Sequence, residues 1–224
     1  MSSIDVKICG LSEPETLEAA LGAGADMIGF VSFAKSPRHV DLSAMETLAN
    51  QARGRAQIVV LTVNATDADL RAINEVVKPD WWQLHGHEDA DRIQAVRNLF
   101  GRPVMKAVGV GSTNDVSHAN AIFGVTDKLL LDAKPPKDAT RPGGLGAVFD
   151  WSLLDTLDRS QPFMLSGGLS PSTVVEAIQA TGTQGVDVSS GVESAPGRKD
   201  ARLIEQFIEA AKSASHYSKI RTSA

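Results

Sequence analysis

The chain has 224 residues, of which 42% are hydrophobic and 22% charged, and its formal net charge is −5. This length fits one α/β barrel, and no cluster of Lys and Arg supports nucleic-acid binding. A single cysteine, Cys9, excludes an intrachain disulfide and a zinc–thiolate cluster. Neither a signal peptide nor an apolar run of the ~20 residues that span a membrane is present. We therefore expect a cytoplasmic protein that binds neither nucleic acid nor membrane.

Short apolar runs recur along the chain, each followed by enough residues for a helix. The runs begin near Ile4, Asp26, Gln57, Trp81, Pro103, Lys128, Pro162 and Gly185. Helices are predicted to open near Pro14 and Asp67, where the first turns are acidic. Alternating strands and helices indicate parallel strands, and eight strands at this length indicate a closed (β/α)8 TIM barrel of the α/β class. The rival architecture, an open doubly wound sheet, expects a Gly-rich turn where this chain has only Cys9-Gly10.

We assign residues 1–224 to a single domain, because no Pro- or Ser-rich linker interrupts the chain. Only about residues 213–224 are polar enough to fray. In such a barrel the catalytic groups lie at the carboxyl ends of the strands, so those positions are the ones to search for function.

Asp132 closes the sixth apolar run, where burial favours a neutral carboxyl group that can act as an acid. A turn or N-cap role is the alternative. The Pro/Gly-rich segment 133–146 that follows is longer than usual for this position, and long loops in compact domains often serve as lids. This segment favours a functional role for Asp132.

Cys9 ends the first strand, where it is either a small buried apolar residue or a reactive thiol. Lys7 lies two residues earlier on the same face of the strand, and a nearby ammonium favours the thiolate. Asp187 lies within the eighth strand, which neighbours the first strand in a closed barrel. We therefore expect Lys7 to pair with Asp187, because unpaired charge within apolar strands is costly.

Glycines and serines follow the seventh and eighth strands, where barrels often bind phosphate through backbone amides. The candidate phosphate-binding residues are Gly167, Gly168, Ser189, Ser190 and Gly191. Ordinary glycine turns are the alternative. Two such sequences after adjacent strands favour a phosphate site.

Two further side chains are candidates for substrate binding. Arg38 lies in the loop after the second strand, and its planar guanidinium is suited to a carboxylate, although an exposed loop arginine often has no role. His85 ends the fourth strand and is either a titrating group or a structural histidine.

Together these motifs resemble the phosphoribosylanthranilate isomerase family over nearly the full chain. The matching residues are Lys7-Ile8-Cys9-Gly10, Gly29-Phe30-Val31, Ser36-Pro37-Arg38, Gln83-Leu84-His85-Gly86, Leu131-Asp132, Gly143-Gly144, Phe149-Asp150-Trp151, Ser166-Gly167-Gly168-Leu169 and Val186-Asp187-Val188-Ser189-Ser190-Gly191-Val192-Glu193. Ser32, Leu145 and Ser166 depart from the family pattern.

The resemblance implies that the chain converts N-(5-phosphoribosyl)anthranilate to 1-(2-carboxyphenylamino)-1-deoxyribulose 5-phosphate in tryptophan biosynthesis. In the implied mechanism Asp132 is the general acid and Cys9 the general base. Arg38 binds the anthranilate carboxylate, and we place His85, Lys7 and Asp187 with it among the substrate-binding residues. The resemblance implies no metal and no organic cofactor. The sequence leaves the oligomeric state open, with a monomer favoured.

Two alternatives remain at this stage. One is another phosphosugar barrel enzyme: an epimerase, which usually uses His and Asp to hold a metal, or a synthase, which usually relies on Lys and Glu. The other is a phosphate-binding barrel without catalytic activity. The combination of Cys9 with Asp132 favours the isomerase over both.

Overall fold

Eight parallel strands close into a barrel in which the last strand pairs with the first. The strands are β1 (Asp5–Cys9), β2 (Met27–Ser32), β3 (Gln57–Thr62), β4 (Trp81–Leu84), β5 (Val104–Val110), β6 (Lys128–Ala133), β7 (Phe163–Leu165) and β8 (Gly185–Val188). The computed structural model describes residues 4–134, 149–160 and 162–221, with side chains as far as residue 214. Each strand starts at the predicted residue or one residue later. The predicted (β/α)8 barrel is therefore confirmed.

Helices follow most of the strands and pack around the barrel. In the described ranges the α-helices are α1 (Pro14–Gly22), α2 (Leu42–Ala52), α3 (Asp67–Val76), α4 (Ala90–Phe100), α5 (Thr113–Ile122), α6 (Val174–Thr181) and α7 (Ala201–Arg221). Helix α7 runs into the segment 213–224 for which we predicted fraying. None of the described helices is long and apolar enough to cross a membrane.

Three 3-10 turns and a short hairpin complete the described structure. The turns span Phe123–Val125, Trp151–Thr156 and Ser190–Val192. The hairpin is formed by β9 (Glu193–Ala195) and β10 (Arg198–Lys199), which pair antiparallel after β8. This hairpin occupies the connection between β8 and α7 at the carboxyl end of the barrel.

Local sequence explains where helices α3 and α4 begin and where α4 ends. At α3, Thr66 and Asp69 form a reciprocal capping box, which satisfies backbone N–H groups that have no partner within the helix. At α4, the Asp89 side chain accepts a hydrogen bond from the Arg92 amide. Gly101 ends α4 in the left-handed conformation at φ 59°, which glycine adopts without steric cost.

Alternation along the strands fills the barrel interior in layers. The buried side chains Met27, Val59, Met105, Ala107, Leu130 and Met164 form one interior cluster. Nearer the carboxyl ends, Cys9 packs with Val31 and Leu61. Because successive side chains of a strand point to opposite faces, residues two apart share the interior. Lys7 and Cys9 therefore both face the inside of the barrel, as do Gln83 and His85.

Candidate active site

A buried ion pair connects the first and last strands beneath the mouth of the barrel. Lys7 pairs in register with Asp187, and its Nζ donates to Asp187 Oδ1 at 2.6 Å. Ser166 Oγ donates to the other carboxylate oxygen, Oδ2, at 3.2 Å. The expected Lys7–Asp187 pair is thus present. Ser166, one of the departures from the family pattern, supports the carboxylate of this pair.

The charge of Lys7 is retained although the side chain has no exposed surface. Burial opposes the charge, but the neighbouring Asp187 and Cys9 outweigh it and raise the pKa of Lys7. The two functional groups of β1 are close together. A Cβ built at Gly29 would lie 3.0 Å from Cys9 Sγ and 3.2 Å from Lys7 Nζ. Glycine at this position leaves room for both.

Cys9 is only 4% exposed, and this burial raises the pKa of its thiol. The ammonium groups of Lys7 and Lys199 oppose the rise, while Asp187 adds to it. We expected the ammonium of Lys7 to bring the thiol pKa below its usual value. Lys7 does act in that direction, but burial and the charge of Asp187 outweigh it, so the net shift is upward. In this unliganded arrangement the protonated thiol is favoured.

Lys199 is a second buried ammonium near Cys9 that the sequence analysis did not identify. Its Nζ donates to the Ser189 carbonyl at 2.7 Å and lies 2.9 Å from Glu193 Oε1. Burial lowers the pKa of Lys199, against the opposing charge of Glu193. Only the return of the chain in the β9–β10 hairpin places Lys199 beside Ser189. No spacing in the sequence signals that contact.

Arg38 is buried at 4% exposure, rather than lying exposed in its loop. Its Nε donates to Glu193 Oε1 at 2.6 Å, and one terminal nitrogen donates to Oε2 at 2.8 Å. A Cβ at Gly10 would lie 2.6 Å from Arg38 Cδ, so the side chain runs directly over the residue that follows Cys9. The structure thus brings Arg38 to the mouth of the barrel, with Glu193 orienting its guanidinium.

Glu193 contacts both Arg38 and Lys199, although in the sequence it stands out only as part of a longer motif. Burial favours its neutral form, but hydrogen bonds from Arg38 and Lys199 and their charges outweigh this and lower the pKa of Glu193. The Gly197 amide also donates to it, at 3.1 Å. Glu193 is therefore a charged carboxylate that holds both cations in place.

Asp132 lies across the mouth from β1 and is 7% exposed. Its Oδ1 accepts a hydrogen bond from the Ala133 amide at 2.8 Å, and its Oδ2 lies 3.6 Å from His85 Nε2. A Cβ at Gly167 would lie 3.1 Å from Asp132 Oδ1, so the loop after β7 packs against this carboxyl group. Asp132 and His85, predicted separately, are neighbours in one site.

The loop that carries His85 is held by a buried ion pair. Lys106 Nζ lies 2.9 Å from Glu88 Oε2 and donates to the Gly86 carbonyl at 2.7 Å. The Asn64 amide donates to Glu88 Oε1 at 2.8 Å. Burial opposes ionisation of Glu88, but Lys106 and these hydrogen bonds outweigh it and lower the pKa of Glu88. This network fixes the backbone beside His85.

The two predicted phosphate-binding loops are in contact with each other. Gly167 and Gly168 adopt positive φ angles of 86° and 62°. A Cβ at Gly191 would lie 1.8 Å from the Leu169 carbonyl oxygen, so only glycine allows the loop after β8 to approach the loop after β7. Ser190 begins the 3-10 turn Ser190–Val192, and Ser189 accepts hydrogen bonds from Lys199. The five predicted residues thus share one region, and phosphate binding there stays a prediction.

The predicted lid falls largely outside the described residues, and so do Gly143, Gly144 and Leu145. At its start, Lys134 Nζ lies 2.6 Å from Asp115 Oδ1. Ser32, another departure from the family pattern, is the last residue of β2 and pairs with Thr62. Within the described ranges, no group of three or more His, Cys, Asp or Glu side chains is arranged to hold a metal ion.

Comparisons with known proteins show the family of the chain. The family model described as "N-(5'phosphoribosyl)anthranilate (PRA) isomerase" matches residues 6–210. The chain is 56% identical over 210 residues to the N-(5'-phosphoribosyl)anthranilate isomerase of Rhodopseudomonas palustris (strain BisB5), covering 94% of this chain and 96% of the relative. It is 54% identical over 216 residues to that of Bradyrhizobium sp. (strain ORS 278), covering 96% and 99%.

Solved structures show the same similarity in three dimensions. The phosphoribosyl anthranilate isomerase of Thermotoga maritima superposes with a TM-score of 0.85 at 34% identity, covering 94% of this chain and 99% of that one. A phosphoribosyl anthranilate isomerase in complex with reduced 1-(o-carboxyphenylamino)-1-deoxyribulose 5-phosphate superposes with a TM-score of 0.80 at 31% identity, covering 94% and 99%. On the family match and these relatives, the chain belongs to the N-(5'-phosphoribosyl)anthranilate isomerase family.

Proposed function

We propose that the chain carries out the isomerisation of its family, a step of tryptophan biosynthesis, with Cys9 as the general base and Asp132 as the general acid. The observation that carries this assignment is a continuous line of contacts between the two groups. Asp132 packs against Gly167, the neighbouring Ser166 donates to Asp187, and Asp187 binds Lys7 beside Cys9. One connected site thus contains an acid and a base on opposite walls.

The reaction begins with opening of the furanose ring. Protonated Asp132 gives its proton to the ring oxygen, the bond from that oxygen to C1 breaks, and the amine nitrogen's lone pair forms the C=N bond of a protonated Schiff base. The carboxylate left on Asp132 is stabilised by the Ala133 amide, which donates to Oδ1. Placing a hydrogen-bond donor where negative charge develops lowers the barrier to this step.

The second step removes the proton from C2. The Cys9 thiolate takes this proton, and the electron pair of the C–H bond forms the C1–C2 double bond of an enolamine as the nitrogen recovers its lone pair. Tautomerisation of the enolamine then gives the ketose. Because burial raises the pKa of Cys9, this thiolate is the minor form of the side chain at neutral pH, and the ammonium of Lys7 stabilises it. Burial makes this group a stronger base than an exposed thiolate, because its conjugate acid has the higher pKa.

Arg38 is placed to bind the anthranilate carboxylate, and the glycine loops after β7 and β8 to bind the phosphate. Support for Arg38 comes from its position over Gly10 and its buried, oriented guanidinium. Support for the loops comes from the contact of Gly191 with Leu169. His85 lies beside Asp132, and Lys7 and Asp187 lie beneath Cys9. Direct substrate contact by these three residues stays a prediction, as do a monomeric state and a cytoplasmic location.

The bound compound of the solved relative also supports an aminoketose phosphate as the ligand class. That structure is described as a complex with a reduced aminodeoxyribulose phosphate, and the relative is 31% identical to this chain. A carboxyphenyl group and a phosphate in such a ligand match a guanidinium and glycine loops that all lie at the mouth of the barrel.

Single substitutions test the acid and the base. Turnover of N-(5'-phosphoribosyl)anthranilate by Cys9→Ser and by Asp132→Asn is expected to fall by about 10²- to 10⁴-fold, as is typical of general acid–base catalysis. Asp5→Asn is the matched control, because Asp5 lies at the opposite end of the barrel, where it forms an ion pair with Lys128. Near-normal turnover by either folded site variant would overturn the assignment. An epimerase or synthase substrate turned over in preference would favour the alternatives.

A further inference from the structure

Gln83 is a buried amide in the barrel interior with no role in the reaction described above. Its side chain is completely buried, and its Nε2 lies 3.1 Å from His85 Nδ1. Its Oε1 has no hydrogen-bond partner among the described residues. Burying an amide in an apolar interior costs free energy, and leaving one of its atoms unpaired adds to that cost. An apolar residue here would avoid both costs, so the contact with His85 requires an explanation.

The contact connects the orientation of the Gln83 amide with the nitrogen of His85 that carries a proton. A neutral imidazole has one N–H and one acceptor nitrogen. When the Gln83 amide donates to Nδ1, the ring proton must lie on Nε2. Nε2 is the nitrogen that faces Asp132, 3.6 Å from Oδ2. His85 therefore directs a hydrogen-bond donor at the carboxyl group that gives up its proton.

The two oxygens of Asp132 then face two different donors. The Ala133 amide donates to Oδ1 at 2.8 Å. The separation of His85 Nε2 from Oδ2, 3.6 Å, is slightly longer than a hydrogen bond. Catalytic hydrogen bonds are often long in the unliganded enzyme and tighten when substrate is bound. A donor at Oδ2 stabilises the carboxylate that forms when Asp132 protonates the substrate.

We propose that Gln83 is a positioning residue whose side-chain amide holds His85 in the Nε2–H tautomer, so that His85 stabilises the carboxylate formed on Asp132 during ring opening. The catalytic part of this inference rests on the proposed role of Asp132 as the acid. The tautomer itself does not depend on that role, because it follows from the Gln83–His85 contact in the free protein.

Two substitutions at Gln83 have opposite effects on the imidazole. Gln83→Met keeps a similar side-chain volume but removes the donor, so His85 is free to populate both tautomers. Gln83→Glu replaces the donor with a carboxylate that accepts from Nδ1–H, so it favours a proton on Nδ1. Gln57→Met is the matched control, because Gln57 is in the neighbouring strand β3 and binds Trp81 Nε1 at the other end of the barrel.

Nitrogen NMR of the free enzyme tests the tautomer directly. Protein with ¹⁵N-labelled histidine, at about pH 8.5 where an ordinary histidine is neutral, gives separate Nδ1 and Nε2 signals for the five histidines of the chain. The signals absent from His85→Asn belong to His85. We expect the Nε2–H pattern in the unmodified chain and in Gln57→Met, averaged signals in Gln83→Met, and the Nδ1–H pattern in Gln83→Glu. An Nδ1–H pattern in the unmodified chain would overturn the proposal. So would His85 signals that are the same in Gln83→Met as in the unmodified chain.

Steady-state kinetics test the consequence for catalysis. Loss of a hydrogen bond to a group that becomes charged in the transition state lowers a rate constant by roughly 10- to 100-fold. We therefore expect kcat to fall by that factor in Gln83→Met while KM changes little. An unchanged kcat with the expected NMR result would also overturn the proposal. Normal turnover by Asp132→Asn would instead overturn the role of the acid and leave the tautomer result standing. Circular dichroism confirms folding, and if Gln83→Met is unfolded, Gln83→Glu supplies both readouts.

Discussion

Lys7 Nζ lies 2.6 Å from Asp187 Oδ1 inside the barrel, beside the Cys9 thiol. The ion pair joins β1 to β8 and closes the barrel at the level just beneath the mouth. Its near neutrality has a chemical consequence, since a paired ammonium stabilises a neighbouring thiolate less than an unpaired one does. Burial raises the pKa of Cys9, so its thiol is protonated at neutral pH.

Removing the charge of Asp187 should make Cys9 more reactive. In Asp187→Asn the pKa of Cys9 falls, because the negative charge that raises it is lost and Lys7 is no longer neutralised. Alkylation by iodoacetamide at pH 7 should become faster, by about tenfold for each unit that the pKa falls. The same change should destabilise the fold by about 3–5 kcal/mol, because it leaves a buried ammonium without its counter-ion.

Ser166→Ala is the control for this experiment, because it removes the hydrogen bond to Asp187 Oδ2 and keeps the charge. Its alkylation rate should match that of the unmodified chain. Cys9 is the only cysteine in the sequence, so the labelled residue is unambiguous. Equal alkylation rates for Asp187→Asn and Ser166→Ala in folded protein would contradict the assigned influence of the ion pair.

The raised pKa of Cys9 also makes stability depend on pH. Burial holds the thiol protonated in the folded chain, whereas in the unfolded chain it ionises above about pH 8.5. The stabilisation is therefore complete below about pH 8.5 and is lost as the pH rises towards the folded-state pKa, by at most about 1.4 kcal/mol per pH unit. In urea unfolding experiments, the free energy of unfolding should fall less with rising alkaline pH in Cys9→Ala than in the unmodified chain. If the free energy of unfolding depends on pH equally in the two proteins, the ionisation of Cys9 does not contribute to it.

Replacing Arg38 with lysine should weaken substrate binding. Lysine keeps the positive charge but loses the planar fork that binds a carboxylate through two hydrogen bonds, so KM should rise by about 10-fold or more with a smaller change in kcat. Arg55→Lys is a matched control, because Arg55 makes the same two-pronged contact with Glu18 on the surface. A KM for Arg38→Lys equal to that for Arg55→Lys would remove Arg38 from carboxylate recognition.

A negative charge in the loop after β7 should abolish phosphate binding. Gly168→Asp brings a carboxylate to the predicted phosphate site, where it repels the ligand. Gly168 has a φ of 62°, so any side chain there is also strained. Gly168→Ala separates the two effects, because it carries the strain without the charge. We expect affinity for a phosphosugar, measured by calorimetry, to fall sharply in Gly168→Asp and mildly in Gly168→Ala.

Similar losses of affinity in the two Gly168 variants would mean that backbone conformation alone matters at this position. Full affinity in folded Gly168→Asp would place the phosphate elsewhere. That second result would leave the contact between Gly191 and Leu169 as a packing feature of the two loops, without a role in ligand binding.

The sequence by itself determined the barrel and most of its mouth. Strand and helix periodicity is local, so eight apolar runs were enough to place the start of every strand to within one residue. Once the barrel was assumed, closure made β1 and β8 neighbours, and alternation put Lys7, Cys9 and Asp187 on the inner face. The ion pair of Lys7 with Asp187 follows from those two rules alone.

Only the tertiary structure decided which groups control the site. Arg38 and Glu193 are 155 residues apart, and the hairpin that brings Glu193 and Lys199 to the mouth has no periodic signal in the sequence. The pKa of Cys9 was expected to fall and instead rises, because it is a sum of burial and three nearby charges with opposing signs. Such sums depend on distances between atoms in different strands, and a linear pattern of residue types does not contain those distances.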